Sequence, residues 1–151
     1  MKKLMLLLAM VVIVTIVQAQ LVEKNGIYYD SNNQPYSGTY IEYYPDGAVR
    51  LEMNLLEGQK EGKTTYYYPN GKRKEVRVFK ANKMDGTWIT WDQNGNKKAE
   101  ARYKNGKKHG KWFIWDENGT LRYEMEYTMG QKTGVWSIWD EKGNLVKQRE
   151  Y

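Results

Sequence analysis

The chain has 151 residues but contains no cysteine and only one histidine, His109. Without thiols it cannot form disulfides, use a thiol nucleophile or bind zinc through cysteines. One imidazole cannot supply a histidine-clustered metal site within one chain. Helical periodicity is also absent after the first 20 residues, which argues against an α or α/β fold.

Only one long apolar run occurs, from Leu4 to Val17, after Lys2 and Lys3 and shortly before Ala19. A basic start, an apolar run and a small residue predict a signal peptide over residues 1–19, cleaved after Ala19. The run is short for a membrane span, which needs about 20 apolar residues, so an uncleaved anchor is the alternative. No cysteine follows the run, so a lipoprotein anchor is not expected.

We therefore expect an exported protein that is periplasmic, envelope-associated or secreted. Loss of Lys2 and Lys3 lowers the formal charge by 2, from +6 to +4. A modestly basic chain in that location argues against a nucleic-acid partner.

The rest of the chain repeats with a period of 24 residues, as its glycines show. Two glycine series keep this step: Gly38, Gly62, Gly86, Gly110 and Gly134, and Gly47, Gly71, Gly95, Gly119 and Gly143. Asn82 replaces glycine in a third series, and asparagine also tolerates positive φ. A fixed period in this range indicates a repeat architecture. The predicted organisation is a lead-in at 20–37 and five units at 38–61, 62–85, 86–109, 110–133 and 134–151.

Each unit is predicted to be a β-hairpin. The corner Tyr44-Pro45-Asp46-Gly47 fits a type I turn followed by a left-handed glycine. Later corners, such as Asp116-Glu117-Asn118-Gly119, lack proline and have an aspartate that can bond the turn backbone. Tyrosine, tryptophan, isoleucine and valine dominate the segments between corners, as strands prefer.

Alternation along the strands predicts one apolar and one charged face. Counting from a three-residue loop places Trp115 on the apolar face with Met125, and Ile41 there with Met53. Trp112 lies an odd number of residues from Trp115 and must face the other way. The predicted exposed aromatic series, our candidate binding face, is Tyr40, Trp88, Trp112 and Trp136. These rings could grip a peptide or stack on a polymer; alternatively, they only pack against arginine and lysine stems.

The second unit breaks this pattern. Val76 and Val78 are on the predicted charged side, whereas Arg73, Glu75 and Arg77 are on the apolar side. A bulge or a local register change is one way to reconcile them with the other units.

His109 aligns with Glu61, Asp85 and Thr133 in the other units. A catalytic or metal-binding role would not tolerate such different groups at one loop position. His109 is therefore interpreted as structural or solvated. The stretch from Asp116 to Gly119 is likewise a turn, because it lacks the alternating ligands and closing glutamate of a calcium loop.

The segment from Gly106 to Gly119, with Tyr123, Glu124 and Tyr127 after it, resembles the MORN-repeat variant family. The resemblance covers Gly38 to the end of the chain, with Asn82 and Thr64 as departures. It implies an elongated, single-layer, twisted antiparallel meander of hairpins that acts as a scaffold for other proteins. Lipid headgroup binding and an antitoxin label also occur among similar proteins.

Three classes of function remain open. A protein-binding scaffold is the first, with an antitoxin-like neutralising role as one form of it. The second is a module for anionic lipid or envelope polysaccharide, using a candidate basic strip of Lys104, Lys107, Lys108 and Lys111.

An enzyme is the third class, and the sequence argues against it. Glu52, Glu100 and Glu124 each follow a basic residue by two positions, which indicates charge pairing on an open sheet. Such a surface offers no pocket in which to perturb a pKa. No catalytic, cofactor-binding or metal-binding residue is predicted, and the oligomeric state stays open.

The leader generates the first testable prediction. Mass spectrometry of the protein from its native host should show a chain that begins at Gln20, because cleavage is expected after Ala19. Recovery of only full-length protein from the cytoplasm would contradict both cleavage and export.

Overall fold

The computed structural model describes residues 20–151, so the predicted signal peptide at 1–19 lies outside the described residues. Within that range no helical segment has the length and apolar character needed to span a bilayer. The strands are β1 (Val22–Lys24), β2 (Ile27–Tyr29), β3 (Gly38–Tyr43), β4 (Val49–Leu56), β5 (Gln59–Tyr67), β6 (Arg73–Lys80), β7 (Lys83–Met84), β8 (Gly86–Trp91), β9 (Lys97–Lys104), β10 (Lys107–Lys108), β11 (Gly110–Trp115), β12 (Leu121–Thr128), β13 (Gln131–Trp139) and β14 (Leu145–Glu150).

Twelve of these strands form one antiparallel sheet in the order β3-β4-β5-β6-β8-β9-β11-β12-β13-β14. The two-residue strands β7 and β10 extend the sheet beside β6 and β9. Each long strand pairs with its neighbours along the chain, and β1 and β2 form a separate small hairpin. The predicted all-β, single-layer meander of repeated hairpins is confirmed.

The corners form as the glycine pattern predicted. In the first, Tyr44 N–H donates to the Ala48 carbonyl at 2.8 Å, and Gly47 has a φ of 86°. Where proline is absent, Asp92 Oδ1 accepts the backbone N–H groups of Asn94 and Asn96 at 2.9 and 2.8 Å. These hydrogen bonds, that from Asn96 foremost, hold the pKa of Asp92 below its usual value. The aspartate thus restrains the turn that proline restrains in the first two units.

The loops that join successive hairpins are restrained by a side chain from the preceding unit. The first of the two left-handed residues in each loop is Glu57, Ala81, Asn105 or Met129, with φ between 46° and 50°. The N–H groups of these residues donate to Ser37 Oγ, Glu61 Oε2, Asp85 Oδ2 and His109 Nδ1, respectively. His109 therefore accepts a loop hydrogen bond, as its unit equivalents do with different chemical groups.

The cluster of buried hydrophobic side chains lies in the first repeat. Leu51, Met53 and Leu55 alternate along β4, and the lead-in packs Leu21 and Tyr28 against them. The lead-in therefore covers one face of the sheet at this end only.

Asn82 connects the lead-in to the second repeat. Its amide Nδ2 donates to the Gly26 carbonyl at 2.8 Å, and its Oδ1 accepts the Lys60 N–H at 2.7 Å. Glycine could make neither bond, which explains why the glycine series is interrupted at this position.

The constant spacing of 24 residues between hairpins generates the second prediction. Deletion of residues 86–109 removes one whole unit and joins Asp85 to Gly110 in the original phase. The shortened chain should fold cooperatively with a lower free energy of unfolding, because repeats contact mainly their neighbours. Urea denaturation followed by tryptophan fluorescence measures this.

A half-unit deletion is the matched control. Removal of residues 86–97 brings strands of the wrong phase together and should abolish the cooperative transition. Equal behaviour of the two deletions would contradict the modular organisation.

Candidate functional site

The register shows that the predicted assignment of aromatic residues to faces is wrong. Trp112 lies opposite Met125, and Tyr40 lies opposite Met53. Residues opposite one another in an antiparallel pair share a face. Tyr40, Trp88, Trp112 and Trp136 therefore occupy the apolar face, here called the aromatic face, rather than the charged face.

The residues predicted to lie on the apolar face near the hairpin corners lie on the opposite face instead. Ile41 lies opposite Glu52 on the second face, here called the charged face. The Trp115 ring contacts Phe113, whose strand partner is Glu124, with ring centroids 5.7 Å apart. Trp115 therefore also belongs to the charged face.

A β-bulge next to each corner is the physical reason. Ile114 pairs with Tyr123 but Trp115 pairs with Leu121, so Arg122 has no partner across the hairpin. A bulge adds one residue to one strand of the pair. When residues are assigned to faces by counting from the turn, this additional residue exchanges the two faces for every position beyond it. The same shift occurs in the other hairpins, so the error affects every unit.

Six rings form a continuous row across the aromatic face. Neighbouring centroids are 4.8 to 5.6 Å apart in this aromatic row: Trp88, Tyr103, Trp112, Tyr127, Trp136 and Tyr151. The spacing matches the separation of adjacent strands, about 4.8 Å, since each strand contributes one ring. The tryptophans are half-buried, and Nε1 of Trp112 donates to the Arg102 carbonyl at 3.0 Å. They therefore stabilise the sheet while part of each ring reaches solvent.

Lysine side chains lie over this row. Lys108 Nζ is 4.5 Å from the Trp112 ring centroid and 4.8 Å from that of Tyr127. Lys132, one repeat later, has the same two distances to Trp136 and Tyr151. The exposed rim of the aromatic row is thus cationic, an arrangement that favours both ring contacts and anionic ligands.

The predicted basic strip is not a single surface. Lys104 and Lys107 lie opposite one another beside the loop, whereas Lys108 lies on the aromatic face. Lys111 Nζ is 2.6 Å from Glu124 Oε1, and this hydrogen bond raises the pKa of Lys111. Only Lys104 and Lys107 remain together, because alternation along the strand places Lys108 on the other face and Lys111 is paired with Glu124.

A second lysine pair lies outside the predicted basic strip. Lys80 lies opposite Lys83, one repeat before the Lys104–Lys107 pair. Like charges directly opposite are unfavourable, so each pair is a local site of positive potential.

The inverted pattern of the second unit is real and needs no extra bulge. Pairing of β5 with β6 is continuous from Gly62–Phe79 to Tyr66–Glu75. Arg77 therefore does lie on the aromatic face, where its guanidinium forms a 2.7 Å ion pair with Glu75 and sits 4.8 Å from the Trp88 ring. Burial lowers the pKa of Arg77, but the ion pair with Glu75 more than compensates and the net shift is upward.

Two hollows open on the aromatic face of the last three repeats. The first, of about 140 Å³, is lined by Trp88, Thr90, Ala99, Glu100, Ala101, Trp112, Phe113 and Ile114. The second, of about 270 Å³, is lined by Tyr123, Met125, Trp136, Ser137, Ile138, Lys147, Arg149 and Tyr151. An apolar floor with basic groups at one end can accept an apolar side chain beside an acidic one.

The ridge between these hollows was not identified from sequence. Ile114 and Tyr123 lie opposite one another and are 38% and 39% exposed. Ile138 follows in the same row as the next partner of Tyr123. Isoleucine at the same position in the last two units was the available signal. No cluster of three histidine, aspartate or glutamate side chains suited to a metal occurs within residues 20–151.

The corrected faces generate the third prediction. Trp112→Ala should lower the free energy of unfolding by about 3 kcal/mol, because the indole packs between two rings. Trp115→Ala is the matched comparison and should cost roughly 1 to 2 kcal/mol, since Trp115 contacts one ring and the Lys97 ammonium. Urea denaturation of both variants measures the difference. A larger loss at Trp115 would contradict the packing role of the aromatic row.

Comparison with known proteins supports the repeat organisation. The family described as MORN repeat variant matches residues 36–55, 60–81, 84–105, 108–128 and 132–151. No curated protein matches the chain. The family match covers more than half of the chain and all five hairpins, and the chain therefore belongs to the MORN repeat variant family.

Proposed function

We propose that this protein is an exported, non-enzymatic scaffold that binds another protein through the aromatic face of its last three repeats. The Ile114–Tyr123 ridge between two apolar hollows is the observation that supports this proposal. Exposed apolar side chains grouped on one open face are typical of interaction sites. Half-buried tryptophans and tyrosines are also the residues that contribute most to protein interfaces.

The surrounding charges suggest the chemistry of the partner. Lys108 and Lys132 overlie the aromatic row, and Lys147 and Arg149 line the larger hollow. A partner with apolar side chains flanked by aspartate or glutamate would match both the floor and the rim. An antitoxin-like neutralising interaction would be one form of such binding.

The ion pairs of the glutamates on the charged face support a non-enzymatic role. Glu100 is paired with Lys97 at 2.8 Å, and Glu124 is paired with Lys111 at 2.6 Å. Both pairs lie on a partly exposed surface, where charge pairing needs no catalytic explanation. Two of the three glutamates that the sequence suggested for charge pairing thus have a lysine partner, whereas Glu52 accepts a 3.5 Å hydrogen bond from the Tyr67 hydroxyl.

A basic module for anionic lipid or envelope polysaccharide is the second candidate. The Lys80–Lys83 and Lys104–Lys107 pairs support it, because they recur at successive loops between hairpins. Binding of this kind would depend strongly on ionic strength. It would leave the aromatic face free.

The fourth prediction tests the binding face. Ile114→Lys or Tyr123→Lys should reduce capture of the partner from envelope extract at least about tenfold, because a charge would replace an apolar anchor. Val135→Lys is the matched control, since Val135 is 48% exposed and its β13 neighbour Ser137 lies opposite Glu124 on the charged face. Quantitative mass spectrometry of the captured proteins, with thermal melting of each variant, provides the measurement.

The outcomes separate the two candidates. Full capture by Ile114→Lys and Tyr123→Lys would contradict the proposed face. Loss of binding by Lys104→Glu with Lys107→Glu, together with loss on raising salt, would favour the basic module instead.

A further inference from the structure

The four joins between hairpins share one register. The opposing residues at an equivalent point of each join are Leu51 and Tyr66, Glu75 and Thr90, Ala99 and Ile114, and Tyr123 and Ile138. Both partners advance by 24 residues from one join to the next. Every hairpin therefore receives its successor in the same way.

The two edge strands are complementary halves of one further join. Within residues 20–151, β14 is the second strand of a hairpin and has a partner on one side only, and β3 is the first strand of a hairpin and likewise has one partner. One more step of the same register places the repeat position of Glu42 opposite Lys147. Arg149 then faces the position of Tyr40, and Gln148 faces that of Ile41.

Opposite charges meet at this step and at none of the equivalent internal positions. Lys147 would face Glu42, which also forms an ion pair with Arg50 of its own hairpin, whereas the internal pairs are apolar or contain a single charged residue. Arg149 would face Tyr40 as Arg77 faces Trp88, where guanidinium and ring are 4.8 Å apart. Tyr151 would meet Tyr40 as Tyr127 meets Trp136, at a centroid distance of 5.1 Å.

We propose that copies of this chain associate head to tail, with β14 of one copy paired antiparallel to β3 of the next. The sheet and the aromatic row then continue from copy to copy. Unpaired edge strands offer backbone groups for such addition. The contact is heterologous, so successive additions extend a chain of copies.

The charges also select between possible edge contacts. Two β14 edges would bring Lys147 and Arg149 of one copy against the same cations of another. Two β3 edges would lack the attraction between Lys147 and Glu42, because β3 carries no lysine or arginine. The charges therefore favour unlike edges over like ones, and such a difference lets a protein discriminate against a wrong partner.

The lead-in leaves the outer side of β3 accessible. It contacts the Leu51 cluster, the Gly58 loop and Asn82, all of which lie on β4 to β6 or the loops beside them. On β3 itself, the Tyr36 hydroxyl donates to the Thr39 carbonyl at 3.2 Å. Ile41, the residue of the proposed join that would face Gln148, lies beyond that contact.

The fifth prediction is tested by charge reversal in the purified protein at low salt. Lys147→Glu and Glu42→Lys should each weaken self-association by about tenfold, because attraction becomes repulsion. The combined variant restores the pair with its sign reversed and should restore association. Lys142→Glu, at an exposed corner outside the join, is the control with the same charge change. Sedimentation velocity over a concentration series gives the dissociation constants.

A cysteine trap defines the geometry, since the native chain has no cysteine. A mixture of the Ile41→Cys and Gln148→Cys variants should form a disulfide-linked dimer under mild oxidation, and neither variant alone should do so. A wild-type chain that stays monomeric up to on the order of 1 mM would overturn the proposal. Cross-linking of Gln148→Cys alone at an equal rate would also overturn it. Because no other protein is present, these results are independent of the proposed partner binding.

Discussion

A single-layer sheet has no second layer to cover its apolar side chains, so these side chains must bury one another on the face that they share. This constraint determines the rest of the structure. Among residues 20–151 only a few, including Leu51, Met53 and Leu55, are deeply buried, and the lead-in covers the end of the sheet where these three lie. Elsewhere the aromatic row replaces a second layer, because rings placed one per strand touch at the strand spacing. Large flat side chains can stabilise an open sheet in this way while remaining partly accessible.

The aromatic row that stabilises the sheet is also suitable for binding, because its rings stay partly exposed. A ring that packs sideways against its neighbours still presents an edge to solvent, and hollows form where small residues such as Ala99 and Ala101 lie between tryptophans. Lysine stems cover the row without closing it. Stability and interaction therefore involve one set of residues, so variants must be chosen on the ridge rather than in the row.

Residues that depart from the repeat pattern make contacts that the other units do not make. Asn82 binds the lead-in, Arg77 introduces an ion pair among the rings, and Glu42 and Lys147 place opposite charges at the two edges. The repeat itself supplies a regular framework in which such differences are meaningful, because the register of every join is the same.

The sequence by itself determined the repeat, the hairpins and their corners, because glycine, asparagine and proline act locally on backbone torsions. It also determined that Trp112 and Trp115 face opposite ways, since alternation is a property of any strand. Which of them faces the apolar side was decided only by the tertiary structure. The deciding feature is the bulge between Ile114 and Trp115, a pairing between two strands that turn composition does not report. The division of the lysines between two faces and the Ile114–Tyr123 ridge follow from that register, and so became visible only with it.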